Sequence, residues 1–191
     1  QSNWLMRIIS GKNKGKKIIM PLDKNTRPLR DLVKESIFNL IEHSNKFNIS
    51  ISNSIVLDLF SGSGSFGLEC LSRGAKFITF VENYVHALGI LEKNISMMNA
   101  RPFSEIIKNN CFELINEKKI FSKKFDIIFL DPPYRDKNIN LLIDQIIDQK
   151  ILKKNGIVII HRHKKDDIKI TSRLKILDTR KYGISKIIIG N

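Results

Sequence analysis

The chain has 191 residues, 42% hydrophobic and 27% charged, enough for one buried core and best read as a single domain. Lysine and arginine number 33 against 19 acids, a net charge of +14, so a polyanion such as nucleic acid is the first partner to consider. Charges interrupt every apolar run well before about 18 residues, which excludes a membrane-spanning helix, and Cys70 and Cys111 lack the spacing of a zinc site, so no metal is expected.

A lysine-, asparagine- and isoleucine-rich composition explains part of the basic excess, but not why the acids lag so far behind. Two unpaired thiols suit a reducing cytoplasm. Gln1–Leu5 has neither the basic nor the apolar region of a signal peptide, and is read as a vector remnant or upstream extension ahead of residues 6–191.

Residues 6–21, MRIISGKNKGKKIIMP, are two β-branched runs around a Gly/Asn/Lys turn, the pattern of a hairpin. Arg7, Lys12, Lys14, Lys16 and Lys17 crowd it; such cations contact phosphates or protect an edge strand from aggregation. Thr26-Arg27-Pro28 reads as a helix start. Leu29, Val33, Ile37, Leu40 and Ile41 then recur at helical spacing, predicting a helix over roughly 28–47. Arg27, Arg30 and Lys34 extend the basic run to its first turns. The polar stretch 48–54 links this N-terminal unit, residues 6–50, to a core spanning 51–191.

The core opens on Ile55–Gly67, IVLDLFSGSGSFG. An apolar run broken only by Asp58 fits a strand buried on both faces of a parallel sheet. Ser61-Gly62-Ser63-Gly64 breaks it with residues that tolerate positive φ, and Phe66–Leu71 continues as a helix. A strand, a glycine turn and a helix N-terminus can cradle a nucleotide-like ligand, although such turns also serve packing alone. Residues 76–83, KFITFVEN, form a second strand ending in Glu82, 18 positions beyond Gly64, where an acid can grip ribose hydroxyls. A helix over 84–98 follows, then a strand over 103–108 with Asn110-Cys111 at its end. Asn110 could bond an adenine edge, or cap the helix carrying Phe112, Leu114 and Ile115.

Residues 125–130, FDIIFL, form a fourth strand and end in Asp131-Pro132-Pro133-Tyr134. A helix over 138–149, a strand over 156–160 and a closing β pair at 173–180 and 184–189 complete the chain. The alternation predicts an α/β fold, a mainly parallel sheet with helices on both faces and a C-terminal antiparallel pair. Asp58, the glycine turn, Glu82, Asn110 and Asp131–Tyr134 all fall at the carboxyl ends of the strands, where such sheets bind ligands.

Two adjacent prolines stiffen the 131–134 turn and leave its carbonyls free to accept. A carboxylate before them and an aromatic after them suit an amine on a ring. Hydrogen bonds from both amine protons, to Asp131 and the Pro132 carbonyl, would turn the nitrogen lone pair outward. Tyr134 would stack on the ring. The reaction then needs alignment and charge placement rather than a covalent intermediate.

D-x-F-x-G-x-G at 58–64 together with D-P-P-Y at 131–134 resembles an S-adenosylmethionine-dependent amino-methyltransferase. RIISGKNKGKKI, RPLRDLVKESIFNLI, VLDLFSGSGSFGLECLSRGA and KYGISKIII further resemble the RsmD family, which methylates N2 of a guanine in bacterial 16S rRNA. The resemblance spans nearly the whole chain and implies a Rossmann-like class I methyltransferase fold with S-adenosylmethionine as cofactor. It implies cofactor contacts from Asp58, Phe60, Ser61, Gly62, Gly64, Glu82, Asn83, Asn110 and Cys111. Asp131, Pro132, Pro133 and Tyr134 would hold the flipped base. Arg7, Lys12, Lys14, Lys16, Lys17, Arg27, Arg30 and Lys34 would contact RNA. The implied partner is 16S rRNA or a small-subunit assembly intermediate, met by a cytoplasmic monomer. Leu29 and Leu32 replace a Thr and an Arg of the family pattern, Asn110 stands where Asp is frequent, and His161-Arg162-His163 stands where the fifth strand commonly ends in Glu. Amino-methyl transfer to adenine N6, cytosine N4 or protein glutamine is an alternative reading, as is a non-catalytic RNA-binding assembly factor.

Overall fold

The computed structural model describes residues 5–22, 29–114 and 121–191. Two short strands, β1 (Leu5–Arg7) and β2 (Lys17–Ile19), pair antiparallel as the expected hairpin. Leu5 faces Ile19 across it, so pairing starts one residue before Met6.

Helix α1 covers Asp31–His43, shorter than the periodicity suggested. Arg30 is extended and takes the N-cap position, and Asp31 places a carboxylate where the helix dipole favours one. The expected start at Thr26–Pro28, with Arg27, lies outside the described residues. Ser44 is extended and ends the helix before Phe47.

Seven strands form the main sheet: β3 (Ile55–Leu59), β4 (Phe77–Val81), β5 (Ser104–Ile107), β6 (Phe125–Leu130), β7 (Leu152–His163), β8 (Ile176–Tyr182) and β9 (Ser185–Gly190). Their spatial order is β5-β4-β3-β6-β7-β9-β8. The first five are mutually parallel and the last two antiparallel. Strand β7 is twelve residues long, not five. Its polar start, Lys153–Asn155, hides the strand from a hydrophobicity pattern, and a register shift between Phe125 and Ile127 accommodates it.

Helices α2 (Ser65–Ser72), α3 (Val85–Met97), α4 (Cys111–Leu114) and α5 (Ile139–Asp148) connect the strands. The hairpin, α1, α2 and α3 cover one face of the sheet; α4 and α5 cover the other. Phe66 of α2 stacks between Phe38 of α1 and Phe129 of β6, with centroid separations of 5.2 and 4.0 Å, fixing the N-terminal unit to the sheet.

Buried polar contacts complete that attachment. The Glu69 carboxylate accepts from the Ile9 N–H at 2.9 and 3.1 Å. Asn94 exchanges hydrogen bonds with the Ile19 backbone, both at 2.9 Å, and donates to the Ser63 carbonyl at 2.9 Å. A Cβ on Gly11 would sit 1.8 Å from the Ser72 carbonyl oxygen, so only glycine lets the hairpin turn lie on the end of α2. Among the described residues no helix is long and apolar enough to cross a membrane.

Candidate active site

Strand register sets the site. Leu59 pairs with Val81 on one side and Leu130 on the other, and Leu130 pairs with Ile160. The next residue of each strand, Glu82, Phe60, Asp131 and His161, therefore stands level across β4, β3, β6 and β7. Between β3 and β6 the chain order reverses, the crevice where open α/β sheets bind their ligands.

On the β3–β4 side the turn is a closed hydrogen-bonded unit. Ser61 donates to the Asp58 carbonyl at 2.6 Å and accepts from the Val81 N–H at 3.1 Å. Glu82 accepts from the Gly62 N–H at 2.8 Å with one oxygen, and from the Asn83 and Tyr84 N–H groups at 3.0 Å with the other. Phe60 has φ 60°, a costly value for a side chain with a Cβ. Gly62 has φ 55°, and no atom lies within 4 Å of where its Cβ would stand, so the turn opens toward free space. Asp58 is almost fully buried, accepts from the Gly67 N–H at 3.2 Å, and burial beside Asp131 and Glu82 raises its carboxyl well above the usual range.

On the β6–β7 side the contacts come from far along the chain. His161 Nδ1 lies 2.8 Å from Asp131 Oδ1, and its Nε2 lies 2.8 Å from Ser185 Oγ. Arg162, 2% exposed, donates to the carbonyls of Pro133 at 3.5 Å, Tyr134 at 3.2 Å and Asp136 at 3.0 Å, and pairs with Asp166. Tyr134 meets the His161 and His163 rings edge-on at 6.0 and 5.4 Å.

A family model described as Conserved hypothetical protein 95 matches residues 6–191. The chain belongs to that family. Ribosomal RNA small subunit methyltransferase D of Buchnera aphidicola (Acyrthosiphon pisum) is 37% identical over 168 residues, covering 88% of this chain and 83% of that protein. The protein of the same name from Haemophilus influenzae is 29% identical over 180 residues, covering 94% and 90%. The solved structure of HI0767 from Haemophilus influenzae superposes with a TM-score of 0.77 at 28% identity over 98% of both chains. That of yhhF from Escherichia coli gives 0.83 at 23%, over 98% of this chain and 97% of the other.

In this Conserved hypothetical protein 95 member, Phe60, Ser61, Gly62, Glu82, Asn83 and Asp131–Tyr134 lie at the carboxyl ends of β3, β4 and β6, while Asp58 is buried beneath them and Gly64 packs against Leu91, which would lie 2.5 Å from a Cβ placed on it. Asn110 accepts from the Phe112 N–H at 2.9 Å, the helix-capping alternative. Cys111 is buried, and burial pushes its thiol up to about 12, which disfavours the thiolate.

The basic residues divide. Arg7 and Lys17 pair at the open end of the hairpin, near the mouth, because the Arg7 carbonyl and Ser65 Oγ both accept from Lys34 Nζ, at 3.3 and 3.2 Å. Lys12 and Lys14 sit at its turn, which rests on Ser72 at the far end of α2. Eight residues of helix separate the two levels by about 12 Å. Lys16, one residue outside the turn, and Arg30, at the N-cap of α1, are exposed. Lys34 corrects the sequence reading: it is fully buried, burial lowers its pKa, and it braces the hairpin instead of facing RNA. Arg27 is outside the described residues.

His161 and Arg162 partner the 131–134 turn, with Ser185 behind His161; along the chain they show only as a polar His-Arg-His run ending an otherwise apolar strand, 26–30 residues from that turn.

Proposed function

We propose that the protein methylates the exocyclic N2 of a guanine in small-subunit rRNA, using S-adenosylmethionine. The observation that carries this is Asp131–Tyr134 clamped at the switch point, level with Glu82 and the glycine turn. The mouth suits the cofactor: a strained Phe60, open space above Gly62 and an anchored carboxylate at Glu82 are what a nucleoside-bearing ligand needs. Asp58, Gly62 and Gly64 would shape its methionine end, Glu82 would take the ribose, and Asn83, Asn110 and Cys111 would border the adenine. Bound there, the cofactor supplies a methyl group on a sulfonium.

The protein's own part is alignment. Arg162 takes the carbonyls of Pro133, Tyr134 and Asp136 but not that of Pro132, which leaves the Pro132 carbonyl for an amine proton. Asp131 accepts from the other amine proton, so the nitrogen lone pair is aimed rather than spread into the ring. As the N–C bond formed, the methyl–sulfur bond would break to leave a neutral thioether, and the nitrogen would lose a proton to Asp131, its hydrogen-bond acceptor. Tyr134 stacks on the base, which has to leave its helix or loop to enter.

An rRNA substrate is supported by the names of the relatives and by the charge of +14. Exposed Arg135, Lys137, Lys164 and Lys165 flank the clamped turn, and Arg7, Lys16, Lys17 and Arg30 add to the basic surface. The protein would act as a monomer in the cytoplasm, on 16S rRNA or an assembly intermediate of the small subunit. The test is radiolabelled methyl transfer to protein-depleted small subunits and to naked 16S rRNA, followed by nucleoside analysis. N2-methylguanosine is expected; N6-methyladenosine would overturn the substrate, and no transfer with no cofactor binding would point to an assembly factor.

A further inference from the structure

We infer that His161 is a positioning residue for methyl transfer, holding Asp131 through its Nδ1 while Ser185 holds the imidazole from behind. This rests on the reading of Asp131 as the amine's acceptor. Asp131 is the residue after β6 ends, and its carboxylate would otherwise rotate freely about two side-chain bonds. His161 stands level with it on the neighbouring strand, 2.8 Å away, and engages one carboxylate oxygen, so the other can face the amine.

An ionised Asp131 carboxylate only accepts, so Nδ1 donates to it, and the Ser185 hydroxyl, which can donate or accept, partners Nε2 at 2.8 Å. Around His161 the facing groups are Asp131 from the 131–134 turn, Tyr134 edge-on, and Ser185 from β9. Arg162, the next residue, fixes the backbone at Tyr134 and Asp136, so the consecutive pair holds the Asp131 side chain and the main chain of the turn after it.

A purely structural role would instead join β7 to β9 and show only as stability. Three variants separate the two: His161→Leu, which keeps neither contact; His161→Asn, whose amide occupies the Nδ1 position and keeps the bond to Asp131; and His161→Gln, whose amide reaches the Nε2 position and keeps the bond to Ser185. Each is measured by single-turnover methyl transfer at saturating cofactor and RNA, with the S-adenosylhomocysteine Kd alongside. His161→Leu and His161→Gln should lose about 10–100-fold in rate, the scale of removing a group that orients a functional one. Their Kd should stay within about twofold, and His161→Asn should recover most of the rate. Should His161→Leu fail to fold, the Asn and Gln pair still decides. Equal rates for Asn and Gln, or a Leu variant as fast as the wild type, would overturn the assignment. Rate ratios are read from total methyl transfer, so a product other than N2-methylguanosine would sink the substrate reading without touching this one.

Discussion

The mouth has two sides that are held together differently. On the cofactor side, Asp58, Ser61, Gly62 and Glu82 bond to one another and to backbone within residues 58–84. On the base side, the Asp131–Tyr134 turn is fixed by His161 and Arg162, and through them by Ser185 and Asp166. The cofactor side joins two consecutive strands, β3 and β4, through contacts 9–20 residues apart. The base side exists only once β7 and β9 have joined the sheet. On the proposed reading the β3–β4 side binds and the β6–β7 side aims. Variants on the two sides should therefore separate binding from turnover.

The largest effect belongs to the base side. On the proposed reading Asp131→Ala removes the acceptor aimed at the reacting nitrogen, and it should lower the single-turnover rate by about 10²–10³. Tyr134→Ala loses base stacking, about 1–3 kcal/mol, whereas Tyr134→Phe should keep most of the rate. Both alanine variants should bind S-adenosylhomocysteine as the wild type does. A weakened cofactor Kd in Asp131→Ala would break the separation.

Glu82→Ala should do the reverse. It strips the partner from three backbone N–H groups and, on the proposed reading, from the ribose, and charged hydrogen bonds of this kind are worth about 1.5–3 kcal/mol each. Calorimetry should show cofactor affinity falling by roughly tenfold or more, with the rate at saturating cofactor far less affected. Unchanged affinity would remove Glu82 from the site.

A smaller effect is expected at Asp58. Burial raises its folded pKa above the unfolded value, so it is the ionised form that weakens the fold. The stability it contributes is fully present below the usual carboxylate range and is lost as pH rises through the raised value. Asp58→Asn, which can still accept from Gly67, should melt a few degrees higher at pH 8, at roughly 2–4 °C per kcal/mol for a chain this size. The difference should shrink as pH is lowered toward the unfolded carboxylate range. A variant melting lower at pH 8 would show that the charge is needed by the turn.

The smallest change is expected farthest from the mouth. Neutralising Lys12 and Lys14 at the hairpin turn should barely alter the salt dependence of RNA binding. Neutralising Arg135, Lys164 and Lys165 beside Tyr134 should flatten it, by about one unit of slope per lost phosphate contact. Equal flattening by both sets would extend the RNA footprint along the whole hairpin.

The parallel sheet, the order of its elements and the glycine turn after β3 were legible in the residues alone. Each rests on signals within a few residues: an apolar run for a buried strand, glycines for positive φ, an acid at a strand end. It also carried the Asp131–Tyr134 turn, because two prolines and an aromatic declare their geometry locally. The length of β7 was not legible, since Lys153 and Asn155 look like loop until the strand is paired. The fate of the cations was not legible either. Lys34 falls at a helical position that packing turns inward, and the Lys12 and Lys14 turn is carried to the far edge by Ser72 at the end of α2. His161 and Arg162 gain meaning only in the tertiary structure. A hydrogen bond is made between groups near in space, and the register of β6, β7 and β9, not the spacing of residues along the chain, brings an imidazole 2.8 Å from a carboxylate 30 positions earlier.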